Sequence, residues 1–347
     1  MRNLSKILGF GSILTLLWSV NCFADSAEGK SKYQINWLLA HDPISLFEEA
    51  AQLFADRVYT ETDGQVRVNV VTNKQDLAPS RVISMVQSGE YEMTQTYTVS
   101  LGELHHDLWA LDLPFIFENH EHAERVLDGE IGARLLAGLS SSGLEGLTFT
   151  YSGGFRVIPS TGHKIEKLED FKGIKVRTTR SPVANAFFEF VGAEPIVAGL
   201  KEGTLLQKNG LVNGGETTYP RFYSLGQNEV SAVINDTKHS LFLTSIVVNQ
   251  SFFQSLPEEY QEVVRAAAIE AGVLERQISI EDGIRTRKQA EEEGIKVVDI
   301  SDSEVERIKK EILPLYEERF YPMFGDLIDQ IKNERYSITT DKVVSQN

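Results

Sequence analysis

The chain has a single cysteine, Cys22, among 347 residues, so it can close no disulfide within itself and offers no thiol cluster to a metal. Positive charge is also scarce. Lys and Arg number 34 against 50 Asp and Glu, a formal net charge of -16. A chain this acidic repels nucleic acid and anionic lipid, so neither is expected as a partner. No apolar run beyond the first 24 residues approaches the roughly 20 residues of a membrane span, and direct membrane insertion is not expected. Histidines number only seven. His105 and His106 are adjacent, and His120 and His122 fall on opposite faces of a helix, so neither pair has the i, i+4 spacing of a zinc helix. Ser140-Ser141-Ser142-Gly143 lacks the glycine before the serine that a nucleophile elbow needs. Gly29-Lys30-Ser31 has Ala24 where a phosphate loop needs its first glycine. No catalytic residue, metal or cofactor is therefore expected.

What is present begins with an address. Arg2 and Lys6 precede an apolar run from Ile7 to Trp18, and Cys22-Phe23-Ala24 ends on a small residue before Asp25. That is the layout of a cleaved secretory signal over residues 1–24. Asn21 stands where a lipobox needs a small residue, so Cys22 is not expected to carry lipid. Cleavage after Ala24 removes the only cysteine, and the mature chain is expected to be exported.

Beyond the signal, strand and helix periodicities alternate. Tyr33–Leu38 reads as a strand. Residues 44–60 carry Leu46, Phe47, Ala50, Leu53, Phe54 and Val58 on one helical stripe. Asp63-Gly64 is a turn, Val66–Val70 alternates as a strand, and Arg81–Ser88 reads as a short helix stopped by Gly89. A second such unit begins near Leu147 and runs through Arg177, a helix at 184–191 and Leu211-Val212. This order argues an α/β fold with a largely parallel sheet, and the length argues two domains. From Pro257 to about Gly294 one helical pattern continues for roughly 57 Å at 1.5 Å per residue. It is longer than one domain, so it is expected to bridge both.

One short segment carries the chemistry. Phe171-Lys172-Gly173 turns the chain into a strand, Ile174-Lys175-Val176, that ends on Arg177. No acid lies between Lys172 and Arg180. A partly buried guanidinium needs a counter-charge, and its planar fork matches a carboxylate bidentately. Two partners are open at this point: a ligand, or a distant Asp or Glu in an interdomain ion pair. Trp37, His41, Gln95 and Tyr97 lie at strand ends of the first domain, and Tyr219 and Phe222 follow a later turn. Core packing or a structural hydrogen bond is the first reading of each, and lining a cleft the second.

Four strings in order then carry a resemblance. They are Leu111-Asp112-Leu113-Pro114-Phe115-Ile116-Phe117 with His122-Ala123 and Val126-Leu127-Asp128-Gly129; Gly154-Phe155-Arg156; Lys167 through Arg177; and Gly192-Ala193-Glu194-Pro195. Together they resemble the solute-binding proteins of the tripartite ATP-independent periplasmic (TRAP) transporters, DctP type, over nearly the whole mature chain. The resemblance implies a two-lobed periplasmic-binding-protein-like fold with a long interlobe-spanning helix. It divides the lobes into 25–153 plus 243–282 and 154–242 plus 283–347. It also implies capture of a small carboxylate-bearing solute and delivery to a TRAP permease in the membrane, by a periplasmic monomer. Arg177 matches the family's carboxylate-binding arginine, Arg156 a second cationic donor, and Thr217 a weaker neutral donor. The family's tyrosine, aspartate and asparagine are replaced here by Thr204, Asn213 and Thr217, and Leu200 stands where many members carry a stacking Phe. A sensory protein that presents ligand to a receptor has the same sequence features, and an enzyme on this scaffold is the remaining alternative.

Overall fold

The computed structural model describes residues 31–41, 45–72 and 77–336. The signal segment and Cys22 lie outside the described residues. Among the described residues, eleven strands alternate with helices. The first sheet has the order β2-β1-β3-β10-β4. Its strands are β1 (Tyr33–Leu39), β2 (Val66–Val71), β3 (Met93–Tyr97), β4 (Leu144–Phe155) and β10 (Leu241–Asn249). The second has the order β11-β9-β5-β8-β6-β7. It is built from β5 (Ile158–Ser160), β6 (Lys175–Thr178), β7 (Glu194–Val197), β8 (Gly214–Gly215), β9 (Val233–Asp236) and β11 (Lys296–Asp299).

The sheets are mixed rather than largely parallel. β1 pairs parallel with β2 and β3, but β10 runs antiparallel to both β3 and β4. The cause is the path of the chain. It leaves the first sheet along β4 and returns to it along β10, so the outgoing and returning strands must oppose one another. Each sheet therefore draws strands from two separate stretches of sequence. Leu211-Val212 forms no strand; the chain extends only at Gly214–Gly215.

The helical stripe read from sequence is helix α1, Ser45–Glu61, with Leu46, Phe47, Ala50, Phe54 and Val58 buried. Helix α2 spans Pro79–Gln87, its proline in the first turn where no N–H is needed. Gly89 at φ +76° follows, a left-handed position that glycine adopts without steric cost. Next come α3 (Thr98–Leu101), α4 (His120–Asp128) and α5 (Glu130–Ala137). In the second half lie α6 (Pro182–Phe190), α7 (Leu200–Lys208) and α8 (Tyr219–Ser224). After β10 come α9 (Gln250–Ser255) and the 35-residue α10 (Glu258–Glu292), about 53 Å long.

Helix α10 packs against α1 and β4 early in its course, and against α8 and β11 late. Val264, Ala267, Ala268 and Ala271 bury into the core beneath the first sheet, whereas Ala290 joins Val157, Tyr219, Phe222 and Ile234 under the second. Gly272 lets the helix approach β4, since a Cβ there would sit 2.9 Å from Thr148. Among the described residues no helix is long and apolar enough to cross a membrane.

The LDLPF string serves the core. Leu111, Leu113 and Ile116 are buried, and the Phe115 N–H donates to His239 O at 2.7 Å. His122 is held by a 2.7 Å contact between Nε2 and Ile331 O. His120 packs on Tyr151 and Phe155, where burial lowers its pKa to about 4.

Candidate functional site

Arg177 is the third residue of β6, one strand in from the edge of the second sheet, with β7 and β8 on either side. The glycines around it are a matter of space. A Cβ at Gly203 would lie 2.6 Å from Arg177 Cγ, and one at Gly215 would lie 3.3 Å from its Cβ. The side chain lies buried beside α7, with Nε donating to Ala198 O at 2.8 Å and Nη1 to Glu216 O at 3.2 Å. Among the described residues no carboxylate oxygen lies within ion-pair distance of it. Burial, with Arg156 and Arg221 nearby and only partly offset by Glu216, lowers its pKa to about 10. It remains a cation at any physiological pH.

The guanidinium borders a cavity of about 490 Å³ at the junction of the two sheets, within the size range of small-molecule sites. The first sheet's side contributes His41, Tyr97 and Phe242; the second's contributes Arg177, Leu200 and Arg221. His41 stacks on Tyr97 with ring centroids 4.3 Å apart, and its Nε2 is 3.1 Å from Thr96 Oγ1. Burial first, then Arg221, lowers its pKa to about 3, so the imidazole is neutral.

Arg156 stands elsewhere. It follows β4, is 1% exposed, and does not border this cavity. Its Nη2 lies 3.8 Å from Asp112 Oδ1 and its Nη1 3.9 Å from Glu216 Oε1. The guanidinium carbon lies 3.8 Å from the ring centroid of Phe242, a cation–π contact. The acids respond in opposite senses. Burial raises Asp112 to about 6 against the pull of Arg156. For Glu216, burial acts upward, but Arg156, His239 and Arg177 overcome it and hold the carboxyl at about 2.

The sequence-predicted residues therefore separate. Arg177 and Tyr97 share the cavity. Trp37 is in the core, edge-on to Phe54 at 5.1 Å. Gln95 bridges Thr150 and Thr244 between strands at 2.6 and 3.0 Å. Thr217 pairs its backbone with Val157, and Tyr219 packs under the second sheet. Four of these residues nevertheless carry buried polar atoms without a hydrogen-bond partner among the described residues: Trp37 Nε1, Arg156 Nε and Nη1, Thr217 Oγ1 and Tyr219 Oη. Such groups are uncommon in folded proteins and cost about 1–3 kcal/mol each.

The sequence reading missed Arg221 and the acids that pair with Arg156. The available signal for Arg221 was a lone cation among Tyr219, Pro220, Phe222 and Tyr223, where an apolar helix turn gives a charge no solvent face.

The DctP family model, bacterial extracellular solute-binding protein family 7, matches residues 40–322. A Chromohalobacter salexigens protein named solute-binding protein is 26% identical over 325 residues, covering 93% of this chain and 94% of the relative. The sugar acid binding protein DctPAm of Advenella mimigardefordensis, solved in complex with galactonate, is 27% identical with a TM-score of 0.79, covering 87% and 97% of the two chains. A TRAP periplasmic solute binding protein of Xanthobacter autotrophicus with bound β-D-galacturonate is 28% identical with a TM-score of 0.76, covering 87% and 99%.

Proposed function

This chain belongs to the DctP family of bacterial extracellular solute-binding proteins, and on that premise we propose that it captures a small carboxylate-bearing organic solute in the periplasm and delivers it to a TRAP-type permease. One observation carries the reading: a buried guanidinium, Arg177, borders a 490 Å³ cavity and is held by two carbonyl oxygens rather than by an acid. Carbonyls orient the fork without neutralising it. A carboxylate entering the cavity then gains charge-assisted hydrogen bonds worth about 1.5–3 kcal/mol each.

Arg156 and Thr217 do not border the cavity; in this reading their unpartnered Nε, Nη1 and Oγ1 atoms become secondary donors only as closure brings the ligand to them. Tyr97 forms part of the wall, while Trp37, Gln95 and Tyr219 support it from behind. The lobes comprise 25–153 with 243–282 and 154–242 with 283–347, a division supported by which stretches supply each sheet. Ligand binding between them favours closure, because only the closed arrangement completes contacts from both sides. Nothing is transformed: the protein recognises, closes and releases, and acts as a monomer after the signal is cleaved near Ala24. The solutes named for two solved relatives, galactonate and β-D-galacturonate, are carboxylate-bearing and support the ligand class.

The test is a thermal-shift and calorimetric screen of the mature protein against organic acids, with product analysis of the incubated mixtures. Ligand at 100 Kd adds about 2.7 kcal/mol of stability. Binding of an uncharged sugar and no acid, or turnover of a bound acid, would overturn the reading.

A further inference from the structure

Arg221 shares the cavity with Arg177, though it lies outside the motifs that carry the family resemblance. It lies on α8 with no exposed surface, yet it borders the cavity. Its Nε and Nη2 both donate to Ser152 Oγ, at 2.9 and 2.6 Å. Ser152 lies on β4 just before Gly153 and Gly154, whose φ values of +92° and +86° make a bulged turn where the strand's register against β10 shifts. The start of α8 rests on this turn: Thr218 Oγ1 donates to Ser152 O at 2.7 Å. A Cβ at Gly153 would fall 2.4 Å from Thr218 Oγ1 and 2.8 Å from Pro220 Cδ, so only glycine permits that approach. The guanidinium carbon lies 5.4 Å from the Tyr97 ring centroid and 5.1 Å from that of Phe242. A cation rooted between β8 and β9 of the second sheet thus reaches across to the first and is fixed there before any ligand arrives. Little side-chain freedom remains to be lost on binding.

Two fixed guanidiniums in one cavity suit a ligand with two separate oxygen acceptors. The cavity's lining also includes Glu103 and Glu202, together with Arg180 and Lys201. The acids among them can accept hydrogen bonds only from donors such as hydroxyls. We propose that Arg221, oriented by Ser152, is a specificity-determining contact that takes a hydroxyl oxygen of a hydroxylated acid whose carboxylate rests on Arg177. The proposal builds on the reading of Arg177 given above and adds the class of acid.

Calorimetric competition titrations with galactonate, succinate and hexanoate separate the possibilities, using wild type, Arg177→Ala, Arg221→Gln and Ser152→Ala. Galactonate is expected to bind wild type more tightly than either unhydroxylated acid. Arg221→Gln should reduce the galactonate-to-hexanoate affinity ratio by tenfold or more. Ser152→Ala, which keeps the guanidinium but frees it, should reduce the ratio by about three- to tenfold with melting temperature unchanged. A merely structural arginine would move the melting temperature and leave the ratio alone. If galactonate and hexanoate weaken together, or the ratio stays within threefold in both variants, the proposal is overturned. Should Arg221→Gln fail to fold, Ser152→Ala decides by its own threshold. Tighter, Arg221-dependent binding of succinate would overturn the hydroxylated class. If wild type binds no acid, or Arg177→Ala binds as wild type does, the carboxylate reading and this proposal fall together. If Arg177→Ala abolishes binding while the ratio ignores Arg221 and Ser152, only the proposal falls.

Discussion

Arg177 and Arg156 are both buried arginines at strand ends, and the molecule treats them in opposite ways. Arg177 is held by the carbonyls of Ala198 and Glu216 on the wall of a cavity. Arg156 is placed between the carboxylates of Asp112 and Glu216, away from that cavity, against the face of Phe242. Dipoles fix a guanidinium and leave its charge available; carboxylates fix it and cancel the charge. The difference separates a cation that can attract an anionic ligand from one whose first effect is on the fold.

The largest expected effect tests the second half of that contrast. Arg156→Ala leaves Glu216 and Asp112 buried without their cation, which should cost about 3–5 kcal/mol of stability in denaturant unfolding. A loss below 1 kcal/mol would show that the cluster is no stabilising pair.

Arg177→Ala comes next. It should weaken binding of the best acid from the screen by two to three orders of magnitude in calorimetry. Its unfolding free energy should change less than that of Arg156→Ala. Arg177→Lys should recover only part of the affinity, since an ammonium cannot make the fork contact. Equal stability losses at both arginines would erase the contrast.

Glu275 sharpens it from the acid side. This carboxyl on α10 accepts hydrogen bonds from the Tyr151 N–H at 2.6 Å and from Ser279 Oγ at 2.7 Å. Burial raises its pKa to about 8, against weaker lowering by these bonds and by Arg276. Glu216, with guanidiniums beside it, falls to about 2. For Glu275 the sign is unambiguous. The unfolded chain loses this proton near 4.5 and the folded chain near 8, so the folded state binds more protons between those values. Its contribution to stability therefore falls as pH rises from 4.5 to 8. Glu275→Gln should remove that slope, with its stability relative to wild type increasing across the same window. Parallel pH profiles would refute the assignment.

The smallest effect is Thr217→Asn. An amide in place of the unpartnered hydroxyl could add about one hydrogen bond, 0.5–1.5 kcal/mol, or up to roughly tenfold in affinity for a carboxylate. A change of thirtyfold in either direction would mean that Thr217 does more than donate one bond.

Much of the frame was legible in sequence because it depends on local periodicity. The α1 stripe, the strand from Tyr33 and the length of α10 follow from the spacing of apolar residues, and all three appear with boundaries shifted by a residue or two. Arg177 was legible because a cation without a local acid is visible in a linear string. Sheet direction was not, since the antiparallel β10 depends on a return from the other sheet. Trp37 and Gln95 show the same limit. A strand-end position is read from periodicity, but whether it faces a cavity or a neighbouring strand is set by register.

By itself, then, the sequence determined the alternation of elements, the bridging helix and a lone cation at the end of β6. Those are properties of neighbours along the chain. Only the tertiary structure decided which arginine meets carbonyls and which meets acids, and that Arg221 joins the cavity. Asp112 and Glu216 lie 44 and 60 positions from Arg156, and Ser152 lies 69 from Arg221. Electrostatic partnership acts through space at a few ångströms, so it exists only once the two sheets are brought together.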